Sequence, residues 1–145
     1  MRNNKGFSLV ELIIVIAIMA ILIGVMAPQL IKYIEKTNVS SDTQLADTVK
    51  SAITTAMLDP AVITASDYTQ PSGSNSLADT MSAGGTTFSD AVKETLGCDA
   101  AECVAKLKSK GANGITVNVV GSNSVHVSID GSHADGKSGP EIYVD

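Results

Sequence analysis

From Phe7 to Ala27 the chain is apolar at every position except Ser8, Glu11 and Gly24. With Leu30 and Ile31 just beyond, the run is long enough to cross a hydrocarbon core, which takes about 20 residues of helix. Helical character continues outward, because Leu45, Val49, Ala52, Ile53 and Ala56 recur at the spacing of one apolar face. Asp59-Pro60 ends it, since a residue before proline is pushed out of the helical region. The pattern predicts one helix over residues 7–58, roughly 78 Å long at 1.5 Å per residue, with 7–30 apolar and 31–58 amphipathic. Gly24 and Pro28 are its weak points, the first through backbone entropy and the second through a missing donor and crowding of the preceding turn, so a kink is expected there.

Past Pro60 the pattern shortens. Residues 61–87 are rich in Ser, Thr, Gly, Asp and Asn, as in Gln70-Pro71-Ser72-Gly73-Ser74-Asn75 and Ala83-Gly84-Gly85, and read as a surface loop. Phe88, Val92 and Leu96 form an i, i+4, i+8 stripe that stops at Gly97. Asp99-Ala100-Ala101-Glu102 resembles a capping box that starts another helix, running through about Lys108. Alternation of apolar and polar residues marks strands at 115–119 and 125–129, which flank the turn-prone Gly121-Ser122-Asn123-Ser124. Ile115, Val117, Val119, Val125, Val127 and Ile129 share one face, leaving His126, Ser128 and Asp130 toward solvent. A third strand is expected at 141–144. The sheet needs a partner layer, and the apolar face of residues 31–58 supplies one. The fold class is α+β: a long N-terminal helix and a head over 59–145, with loop and short helices in 59–112 and an antiparallel sheet in 113–145.

Composition fits one small anchored domain. The chain has 145 residues and is 44% hydrophobic, and its positive mean hydropathy comes largely from the N-terminal run. Ten basic against fifteen acidic residues leave a net charge of −5, which argues against nucleic acid as a partner.

The charges flanking the apolar run set an orientation. Arg2 and Lys5 precede it and an extended polar chain follows, so the positive-inside rule keeps the amino end cytoplasmic and the head outside. Nothing between Gly24 and Lys36 resembles the A-x-A site of a secretory signal. The small residue Gly6 instead precedes the run, and a cut after it removes the basic leader, moves the formal charge from −5 to −7, and leaves the anchor whole with Phe7 first. Glu11 is the lone charge within the run. An ionised carboxylate in hydrocarbon is costly and generally finds a partner. The amine freed at Phe7 is the nearest candidate, either four residues away on the same helix face or from an adjacent copy. The bland alternative is that Glu11 snorkels to the headgroups.

Lys5-Gly6-Phe7-Ser8-Leu9-Val10-Glu11-Leu12, followed by this hydrophobic stretch, resembles the processing motif of type IV prepilins. The resemblance covers about the first thirty residues. It implies cleavage between Gly6 and Phe7 by a prepilin peptidase, N-methylation of Phe7, and pairing of Glu11 with the Phe7 amine of a neighbouring subunit during assembly. It also implies the pilin fold, and local melting of the helix upstream of a proline matching Pro28, which lets packed subunits stretch and bend. At Ala20 the chain departs from the glycine that related sequences often carry. In pilins the region matching 61–87 wraps the head and contacts neighbouring subunits.

Cys98 and Cys103 fall at the N′ and N4 positions of the helix that Asp99 begins, where side chains meet in a hydrophobic staple. The bend over Gly97 to Asp99 brings a disulfide within reach, oxidation is permitted outside the cell, and a reduced apolar staple is the alternative. His126 and His133 are too distant to complete a zinc site with these cysteines. Asp130, Asp135 and Glu141 lack the spacing of a calcium loop and read as solvated turn residues. Gly136-Lys137-Ser138 lacks the glycine framework of a phosphate cradle, and no hydrolase elbow or metalloprotease pair occurs. Asn38-Val39-Ser40 is a weak glycosylation sequon. No enzymatic activity and no cofactor are expected.

The resemblance implies a structural subunit of type IV pilus fibres, with roles in motility, adhesion, aggregation or biofilm formation. Its partners are then other copies of the chain in a helical homopolymer, the prepilin peptidase, assembly platform and motor proteins, and membrane lipid before assembly. The precursor sits in the cytoplasmic membrane and the product in an extracellular fibre. Two alternatives stand beside it. A pseudopilin of a type II secretion or DNA-uptake system shares the leader and stem, but residues 130–141 do not resemble the acidic calcium loop of the major secretion pseudopilin. A monomeric membrane-tethered binding domain shares the anchor and sheet, but has no use for leader removal or for a carboxylate in the stem.

Overall fold

A computed structural model describes residues 6–121, 124–131 and 142–144. Helix α1 spans Leu9–Leu58. It is followed by α2 (Pro60–Ile63), β1 (Gly73–Ser76), α3 (Leu77–Ala83), α4 (Thr86–Leu96), α5 (Ala100–Ala105), β2 (Gly114–Val120), β3 (Ser124–Asp130) and β4 (Ile142–Val144). By internal contacts the chain divides into two units, Met1–Ile34 and Glu35–Asp145. The basic residues Arg2 and Lys5, the centre of the β2–β3 turn, and the tail residues His133, Asp135, Lys137 and Glu141 lie outside the described residues.

In the first unit every described residue is exposed. The second unit has a conventional core. Ala46, Val49, Ala52, Ile53, Ala56 and Met57 of α1 are buried with Leu77, Met81, Phe88 and Val92 from α3 and α4 and with the inward face of the sheet. Leu45, at the edge of the predicted stripe, is half-buried against that core.

The sheet is antiparallel with strand order β1-β2-β3-β4. Register pairs Val117 with Val127 and Ile115 with Ile129, and β3 pairs Val127 with Val144 and Ile129 with Ile142. Ile115, Val117, Val119, Val125, Val127, Ile129, Ile142 and Val144 are buried, so the alternation seen in the sequence does select the inner face. His126, Ser128 and Asp130 on the other face are half-buried rather than open to solvent. Asp130 accepts a hydrogen bond from the Thr116 hydroxyl, which makes it a cross-strand partner and not a loose turn residue.

The expected loop over 61–87 is corrected most. It holds α2, β1, α3 and the first turn of α4, so the sheet begins at 73 rather than 113. Strand β1 reads Gly-Ser-Asn-Ser and is mostly exposed; it pairs through its backbone with 116–119 of β2 and needs no apolar alternation. Helix α3 starts at Ser76, whose Oγ accepts the Asp79 N–H at 3.1 Å, and buries Leu77, Thr80 and Met81. Asp59 ends α1 and caps α2 in one step, its carboxylate accepting the Ala61 N–H at 2.8 Å.

Helix α5 also stops short of Lys108. Its capping box forms, with the Asp99 N–H donating to Glu102 Oε2 at 3.2 Å, but the chain beyond Lys106 is drawn to α1. Asp42, 1% exposed, accepts the backbone N–H groups of Lys108 at 2.9 Å and Ser109 at 2.8 Å, together with the Ser109 hydroxyl. Glu35, two turns earlier on α1, accepts the Lys110 N–H at 2.7 Å. Three consecutive amides therefore end on helix carboxylates, which satisfy donors outside any strand or helix, that of Ser109 being buried.

Asp67 does the same for α4. Thr86 Oγ1, Thr87 N–H and Thr87 Oγ1 all donate to its carboxylate, at the end of α4 where negative charge is favoured. Gly85 makes the approach possible: its φ is +90°, and a Cβ there would stand 2.2 Å from the Asp67 carbonyl oxygen. The Thr86 hydroxyl first, then the Thr87 amide and hydroxyl, hold the Asp67 carboxyl well below its ordinary value of 3.8. Because the folded value is depressed, this contribution to stability is complete above about pH 4 and is lost as pH falls toward the folded value. Asp67→Asn is expected to flatten the acid limb of stability against pH, and carbon NMR of the Asp67 carboxyl checks the titration directly.

Candidate assembly segment

Gly6 and Phe7 form non-helical chain directly before α1, and both are exposed, Phe7 at 87%. The Ser8 N–H donates to Glu11 Oε2 at 2.9 Å. Since α1 begins at Leu9, Ser8 is the N-cap and Glu11 the third helical residue, so the Glu11 side chain satisfies a donor the helix leaves without a partner. Ser8-Leu9-Val10-Glu11 carries the Ser-x-x-Glu signature of this cap, a signal hidden by the surrounding apolar run. In the single uncleaved chain Glu11 is thus held by its own first turn, one residue beyond Phe7.

Helix α1 is, among the described residues, long and apolar enough to cross a membrane. Its large apolar side chains from Leu9 to Ile34 are all more than half exposed, from Ile13 at 51% to Leu9 at 73%. A helix that is apolar on every side finds its partners in lipid or in other apolar helices.

Gly24 and Pro28 both lie inside α1, which stays helical through them. They are four residues apart, so the N–H that Pro28 lacks is the one that would reach the Gly24 carbonyl. The two defects fall in a single turn, and interior proline and glycine cost about 3 and about 1 kcal/mol relative to alanine. A Cβ on Gly24 would meet nothing within 4 Å, so the glycine is not needed to make room in the isolated chain.

Cys98 and Cys103 are joined by a disulfide, with Cα atoms 6.0 Å apart. Gly97, in the left-handed conformation at φ +67°, ends α4 and turns the chain so that Cys98 faces the start of α5. Intact mass measured without reductant is expected to rise by a pair of hydrogens on reduction. The closed loop is short, so opening it lowers stability by about 2 kcal/mol in the chain-entropy treatment. His126 Nε2 lies 2.9 Å from Ser124 Oγ.

Residues 1–27 match a family described as "Prokaryotic N-terminal methylation motif". A "Fimbrial protein" of Moraxella nonliquefaciens is 46% identical over 55 residues, a stretch that covers 38% of this chain and 36% of that protein. The chain thus matches about a third of the length of this curated relative. No solved structure matches. The methylation motif and the fimbrial relative together support a type IV pilin, and the long apolar helix followed by a small antiparallel sheet is a pilin-like α+β arrangement. That class of protein is structural rather than enzymatic.

Proposed function

We propose that this chain is the structural subunit of a type IV pilus fibre. The carrying observation is the uniform exposure of apolar side chains from Leu9 to Ile34, which a single chain leaves uncovered. The precursor is held in the cytoplasmic membrane with its amino end inside. Cleavage between Gly6 and Phe7, in exposed non-helical chain, frees an amine that is N-methylated. On assembly the stems pack together, and the Phe7 amine of one subunit neutralises Glu11 of the next, replacing the Ser8 contact. Fibres of this kind serve motility, adhesion, aggregation or biofilm formation.

Two features of the motif support the Glu11 role. The residue sits in the first turn of an otherwise uncharged stretch, and in the isolated chain it accepts a local backbone amide, a neutral donor that a neighbour's ammonium outcompetes on charge. In the fibre, the turn from Gly24 to Pro28 is where α1 melts, because it has the fewest bonds to lose.

Electron microscopy of cells with and without the gene, with mass spectrometry of sheared appendages, tests the reading. The expected product begins at N-methyl-Phe7 and dominates the fibre. Intact fibres built from chains that still begin at Met1 would overturn it.

A further inference from the structure

One face of α1 in the second unit remains open. Ser41, Gln44, Leu45 and Thr48, a stripe at i, i+3, i+4 and i+7, form one wall of a groove of about 470 Å³, and the segment from Ala105 to Lys108 forms the other. Its floor is apolar, through the half-buried Leu45 and Leu107. Lys106 and Lys108 line it in a chain whose net charge is −5.

A matching surface occurs elsewhere on the same unit. Among its described residues, the large apolar side chains left exposed are Leu58, Ile63 and Val120, at 58%, 48% and 55%. Leu58 ends α1 and Ile63 ends the single turn of α2, and Asp59 lies between them with its carboxylate fixed by the Ala61 N–H. The turn therefore offers two apolar side chains beside a positioned negative charge, and the groove offers an apolar floor beside two cations.

We infer that the groove receives the Leu58–Ile63 turn of a second copy, a reading that rests on the fibre proposed above. Leu45 and Leu58 are about 20 Å apart along the helix axis at 1.5 Å per residue. Two parallel copies displaced by that step bring Leu58 of one beside Leu45 of the other, with Asp59 near Lys106 and Lys108. The two surfaces differ, so the contact is head-to-tail and repeats without closing, as an open filament requires. One turn buries far less than the roughly 1,200 Å² of a stable pair, so the contact forms in the array and not between free copies.

Cysteine cross-linking of intact fibres tests this. Fibres of the full chain carrying Gln44→Cys and Ile63→Cys, treated with an oxidant, are expected to give a ladder of covalent oligomers on non-reducing gels, at least tenfold above either single variant. No ladder from well-formed fibres overturns the contact. A ladder from Gln44→Cys paired with Glu94→Cys instead assigns the groove to α4 and also overturns it. If the double variant does not assemble, Lys106→Glu with Lys108→Glu decides: fibres that shear several-fold more easily support the contact, and unchanged fibres overturn it. Absence of fibres from the unmodified chain sinks the pilin reading itself, whereas normal fibres without cross-links sink this contact alone.

Discussion

Glu11→Ala is expected to leave the protein in the membrane and cleaved, yet to reduce its entry into fibres on the order of fifty-fold, equivalent to about 2.3 kcal/mol. In the proposed fibre the substitution would strand the Phe7 amine of the adjoining copy among aliphatic stems, where an unpaired charge costs about 2.5–3.5 kcal/mol on insertion scales. Quantitative blotting of sheared fibres against the membrane pool measures the ratio. Ser8→Pro separates two roles of the carboxylate: it removes the N–H that Glu11 accepts but leaves the charge, so entry into fibres should fall far less. Equal loss in both variants would assign Glu11 to capping its own helix.

Asp42→Ala is expected to destabilise the second unit by about 3 kcal/mol, because it leaves the buried amide and hydroxyl of Ser109 and the part-buried amide of Lys108 without their acceptor. Asp42→Asn should cost less than Asp42→Ala, since one amide oxygen remains to accept but the second acceptor and the charge are lost. Glu35→Ala, at a half-exposed position, should cost under about 1 kcal/mol. Denaturant unfolding of the intact chain in detergent ranks the three. If Asp42→Ala unfolds like the unmodified chain, the carboxylate is not what holds the 108–110 segment to α1.

Periodicity carried most of the architecture. Helix α1 ends at Leu58, where Asp59-Pro60 said it should, and the inward residues of β2 and β3 are those the alternation picked. Legibility failed where backbone or single polar side chains do the work. Strand β1 is Gly-Ser-Asn-Ser, with no apolar signal, and is recruited by the open edge of β2. Asp42 looks like one more acid on an amphipathic helix, yet it is buried by amides 66 residues away in the chain, a pairing that no local pattern encodes. The segment from Gly6 to Glu11 was the reverse case: its motif was plain, while the cap between Ser8 and Glu11 lay unread inside it.

The polar β1 has a consequence for copies packed as closely as the proposed fibre would pack them. A sheet margin with free backbone groups is a template on which another chain can add a strand, and long apolar margins invite amyloid-like growth. Here the margin beside β2 is four residues long, opens on Gly73 and carries only serine and asparagine. In the proposed fibre this margin gives a neighbouring head no apolar strand to zip onto, which leaves contact between heads to side chains such as those of the groove and the Leu58–Ile63 turn.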